Sequence, residues 1–111
     1  MRVLCVALGG ALGSVLRYLA GLAFPYGTLV VNLVGSFAIG VAAAKLSSVN
    51  LRLFVITGVL GGFTTYSAFN EETLAAWRAG TPGTAIGYAA VTLVACLVAG
   101  IGGAAVARAL S

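Results

Sequence analysis

The sequence has no histidine, only two acidic residues (Glu71 and Glu72) and only two cysteines in 111 positions. Each scarcity excludes something. With no histidine, and no second cysteine near Cys5 or Cys96, the chain lacks the clustered ligands of a zinc site. A nucleophile–base pair is missing too, so the chain is read as a non-enzyme. Both cysteines fall inside apolar runs, where they read as small packing residues rather than a disulfide framework. Charged residues amount to 7% of the chain, against about 25% in soluble domains. The six cations are scattered singly near the ends of apolar segments, which argues against nucleic acid as a partner.

What the chain has instead is apolar length. It is 61% hydrophobic, and its charge-poor stretches are long enough for helices of about 20 apolar residues to cross a bilayer. The reading is an all-α, multi-pass membrane protein of four transmembrane helices, at about residues 3–23, 28–44, 51–76 and 84–107. They form a single domain over residues 1–111. Proline and glycine punctuate the joints at Phe24-Pro25-Tyr26-Gly27 and 78-RAGTPG-83. Met1-Arg2 before an apolar run resembles a signal peptide, but Arg17 interrupts that run, so helix 1 is kept. Arg2, Lys45, Arg52 and Arg108 fall on one side, with Arg78 and Arg17 towards the other. The bias leans towards cytoplasmic termini, and its small margin is compatible with insertion in both orientations.

Small residues recur four apart at Gly9/Gly13, Ser36/Gly40, Gly58/Gly62 and Gly83/Gly87, a spacing that lets helix backbones approach closely in lipid. Polar residues recur the same way. Helix 2 carries Thr28, Asn32, Ser36 and Gly40 on one face, and helix 4 carries Thr84, Tyr88, Thr92, Cys96 and Gly100. Hydrogen bonding between helices would account for a lone Thr or Ser. Asn32, with two donors and an acceptor to satisfy, demands more.

The least helix-like stretch is 61-GGFTTYSAFNEE-72, in the middle of helix 3. Gly61, Gly62, Thr64 and Thr65 are poor helix formers, and a break there frees backbone groups at membrane depth. Such groups are tolerated only where they are buried in protein or face an ion or water. Freed carbonyls suit a hard cation; freed hydroxyls and N–H groups suit an anion. Tyr66 and Phe69 lie on one face, and their ring edges carry partial positive charge. Spacing alone leaves the sign of the ion open.

Three segments carry a resemblance: 9-GGALGSVLRY-18, 27-GTLVVNLVGSF-37 and 58-GVLGGFTTYSAFNEET-73. They are similar to the three signatures of the small fluoride channels, the Fluc (CrcB) family, and the likeness runs through the whole chain. It implies a fluoride-selective channel for passive export across the cell's inner (plasma) membrane. It also implies an antiparallel, dual-topology homodimer with helix 3 broken in mid-membrane. By motif position the resemblance places Asn32, Tyr66 and Phe69 on the fluoride pathway. By spacing, since helix 4 lacks a strong motif, it adds Tyr88, Thr92 and Cys96; the Ser36 hydroxyl is a further donor on that path. It implies a central structural Na⁺ held by the carbonyls of Gly61 and Thr64 from both subunits. Glu72 and Arg17 match residues with a pore-mouth or structural role. Two departures stand out: Tyr66 where the family has phenylalanine, and Ala68 where it has threonine. They keep a heterodimer with a paralogous subunit open, whereas Asn32, Phe69 and the glycine pair favour a homodimer.

Two rival classes compete with this reading. A small proton-coupled multidrug exporter, also a four-helix dimer, needs an intramembrane carboxylate, yet Glu71 and Glu72 both lie towards the end of helix 3. A membrane assembly factor would explain the small residues but not the aligned polar seams.

Overall fold

The computed structural model describes residues 1–110. Four helical segments are long and apolar enough to cross a membrane: Arg2–Ala23, Gly27–Lys45, Val49–Arg78 and Pro82–Ala109. They are numbered helices 1 to 4. The long axis of the molecule, 47 Å, suits a bilayer of about 40–45 Å including headgroups.

The joints follow from local chemistry. Tyr26 takes the left-handed conformation (φ 57°, ψ 40°) that turns the chain into helix 2. At the other end of helix 2, Arg52 Nη1 donates to the carbonyls of Leu46 and Ala43 at 2.8 and 3.2 Å. A cation thus caps the end of the helix where its dipole is negative. Between helices 3 and 4, Gly80 supplies a φ of 81°, and Pro82 opens helix 4 in its first turn.

Helix 3 is not uniform. After one α-helical turn, Leu53–Leu60 is π-helical, with the Gly61 amide reaching back five residues to the Ile56 carbonyl. Gly61–Phe63 returns to α geometry. The chain then straightens at Thr64 (φ −84°, ψ 152°) and Thr65 (φ −148°, ψ 119°) before Tyr66–Arg78 resumes the helix. The expected break is there, but it falls on the threonines. Gly61 keeps helical angles (φ −63°, ψ −38°). The sequence carried no sign of the π-helical segment.

The glycines act through close approach. Helix 1 packs on residues 53–63, and helix 2 packs on helix 4. A methyl group on Gly9 or Gly13 would land on the carbonyl oxygen of Phe54 or Val59, and one on Gly40 on that of Gly100. One on Gly62 would lie 2.6 Å from the Gly10 carbonyl oxygen and 3.0 Å from the Ser14 amide nitrogen. Gly83 and Gly87 differ: nothing lies within 4 Å of a Cβ at either. Large apolar side chains elsewhere point outward, as they do when lipid is the solvent.

Candidate functional site

The break in helix 3 is held from helix 2. Asn32, which is buried, accepts a hydrogen bond from the Thr65 amide through Oδ1 at 2.8 Å and donates to the Thr65 carbonyl through Nδ2 at 3.1 Å. A side-chain amide thereby replaces the ladder bonds that an extended residue cannot make. Thr65 also caps the helical segment Tyr66–Arg78, its Oγ1 accepting from the Ala68 amide at 3.2 Å. Sequence reasoning missed the importance of Thr65. The available signal was that one asparagine amide matches the N–H and C=O of a single residue left out of a helix.

These two bonds bear on cation binding. In a continuous helix the amides of Thr65 and Ala68 would close onto the carbonyls of Gly61 and Thr64. Here they are taken by Asn32 and Thr65 Oγ1, so neither amide closes onto those carbonyls. Oxygen donors of this kind fit a hard cation. Among the described residues no cluster of His, Cys, Asp or Glu could hold a metal. The Gly62 carbonyl between them is engaged: Arg17 Nε donates to it at 3.0 Å, tying helix 1 to the break. Arg17 thus caps a backbone carbonyl next to the break.

A cavity of about 710 Å³ opens beside the break. Helix 2 contributes Asn32 and Ser36, helix 3 contributes Gly61, Thr64, Tyr66 and Phe69, and helix 4 contributes Thr92 and Cys96. Phe69 is 7% exposed and Thr92 6%. Thr92 Oγ1 is the one buried side-chain polar atom without a hydrogen-bond partner among the described residues. A buried hydroxyl normally finds a partner; the nearest one, the Tyr88 hydroxyl one turn away, already donates to Glu72.

Tyr88 does not line the cavity; it stands next to it. Three rings form a row, with Tyr66 edge-on to Phe69 (centroids 5.4 Å, 68°) and Phe69 tilted against Tyr88 (5.5 Å, 36°). The Tyr88 hydroxyl donates to Glu72 Oε2 at 2.6 Å, and Thr28 Oγ1 donates to Glu72 Oε1 at 2.6 Å. Glu72 therefore bridges helices 2 and 4 with both carboxylate oxygens occupied.

The chain matches the family model described as CrcB-like protein, Camphor Resistance (CrcB), over residues 4–104. It belongs to the CrcB family. Among its CrcB relatives, a protein of Sorangium cellulosum named fluoride-specific ion channel FluC is 46% identical, over 95% of this chain and 93% of its own. A protein of the same name from Anaeromyxobacter sp. is 50% identical over 88% of each. Another, from Agrobacterium fabrum, is 42% identical over 97% of each. In this CrcB chain the three signature segments converge on the break: Arg17 from the first, Asn32 from the second, and Gly61 to Phe69 from the third.

Proposed function

We propose that the chain is a fluoride-selective membrane channel that lets fluoride leave the cell passively. The relatives named as fluoride-specific channels support the ion, and the unpartnered Thr92 hydroxyl beside Phe69 supports the path. Fluoride is small and strongly hydrated, so a pore must replace its water without holding it too firmly. Ser36, Thr92 and Cys96 line the path with polar hydrogens, and the ring edges of Tyr66 and Phe69 complete the shell. Asn32 has one Nδ2 hydrogen to spare beyond its clamp on Thr65. Tyr88 and Glu72 steady the mouth.

The working unit in this reading is an antiparallel homodimer, each subunit a single four-helix domain. The weak charge bias and the broad apolar surface of the single chain are consistent with it. A heterodimer with a paralogous subunit is the alternative assembly. The Gly61 and Thr64 carbonyls of the two subunits would hold the central Na⁺. Its charge would favour anions nearby. An exporter reading lacks support, since Glu72 is engaged by two hydroxyls.

The test is flux from liposomes. Purified protein should release loaded fluoride quickly and chloride hardly at all. Equal chloride flux, or none of either ion, sinks the proposal.

A further inference from the structure

Tyr66 is a mid-span residue whose hydroxyl the chain leaves without a partner among the described residues. It begins the second half of helix 3, far from both ends of Val49–Arg78. Its ring lines the same cavity as Asn32, Phe69 and Thr92 and is 73% exposed on the single chain. Among the described residues its hydroxyl makes no hydrogen bond. The other tyrosines are placed differently. Tyr88 donates to Glu72, whereas Tyr18 and Tyr26 lie towards the turn after helix 1, where water reaches. A phenol at membrane depth with no acceptor is costly, so something must come to it.

We propose that the Tyr66 hydroxyl donates directly to the permeating fluoride, making Tyr66 a residue that sets the channel's affinity and rate. The inference rests on the fluoride-channel reading above. A ring edge presents only a weak positive field, whereas an O–H group forms a charge-assisted hydrogen bond to an anion. An added donor deepens the well in which the ion rests. A deeper well fills at lower concentration and empties more slowly. Tyr66 therefore raises fluoride affinity at the expense of conduction.

The experiment measures conductance against fluoride concentration for the full-length protein in planar bilayers. Tyr66→Phe should raise the half-saturating concentration about tenfold to a hundredfold, the worth of one hydrogen bond to a charged group, and the limiting conductance should rise. Placing 3-fluorotyrosine at position 66, a stronger donor of nearly the same shape, should move both quantities the other way. An unmoved half-saturating concentration overturns the inference. So does a fall in limiting conductance alone, which would mark a bond from the hydroxyl to the second subunit. If Tyr66→Phe does not assemble, the fluorotyrosine protein decides by itself. A wild-type protein with no fluoride current sinks the channel reading, whereas a current with unmoved half-saturation sinks only this inference.

Discussion

Asn32 grips both backbone polar groups of Thr65, accepting from its amide at 2.8 Å and donating to its carbonyl at 3.1 Å. The two residues lie 33 apart in sequence, and their pairing makes an interrupted helix tolerable at membrane depth. Asn32→Asp keeps the acceptor but turns the donor into a second oxygen facing the Thr65 carbonyl. Fluoride flux should be lost, and the fold should weaken by about 1–3 kcal/mol, the cost of an unmet buried hydrogen bond. Flux from liposomes and chemical unfolding in detergent measure the two effects; wild-type values for both would refute the clamp.

Phe69 is buried between Tyr66 and Tyr88. Phe69→Ile retains apolar volume but removes the ring edge. Flux should fall by at least about a hundredfold, the scale of a few kcal/mol in transfer free energy, while the assembled protein still elutes as wild type does from a sizing column. Retained flux would remove Phe69 from the path.

The helix 1 glycines allow a paired comparison. Gly13→Ala drives a methyl group into the Val59 carbonyl, whereas Gly10→Ala meets nothing within 4 Å. Overpacking should cost Gly13→Ala about 1–3 kcal/mol or more. Gly10→Ala should be neutral or stabilising by up to about 1 kcal/mol. Thermal unfolding in detergent reads both, and equal melting temperatures would contradict the packing described.

Glu72 accepts from Thr28 and Tyr88, one hydroxyl per oxygen. Glu72→Gln leaves one oxygen and one amide where two charged acceptors stood, so one hydroxyl must turn from donor to acceptor and both bonds lose their charge assistance. Flux should drop about threefold to tenfold. In a Tyr88→Phe background the same change should have a smaller effect, because the partners form one network. Additive losses would show that Glu72 and Tyr88 act independently and not through one bridge.

Replacing Na⁺ by a large organic cation tests the carbonyls of Gly61 and Thr64. The assembled protein should melt at a lower temperature, and restoring Na⁺ should reverse the change. Equal melting temperatures in both salts would remove the cation from the proposal.

The four spans were legible in the sequence because apolar runs are local features, and their length alone fits the bilayer. So were the polar seams of helices 2 and 4: fourfold spacing fixes which residues share a face whatever lies opposite. The threonines and glycines of 61-GGFTTYSAFNEE-72 marked a weak point in helix 3, but not where it yields. Tertiary structure put the break at Thr64 and Thr65, because Asn32 reaches Thr65 there and replaces its lost ladder bonds. It also kept Gly61 helical and used Gly62 to bring helix 1 close. Arg17 meets Gly62 across 45 residues, and Glu72 meets Thr28 across 44. Periodicity encodes faces, whereas such partners are chosen only when the faces pack.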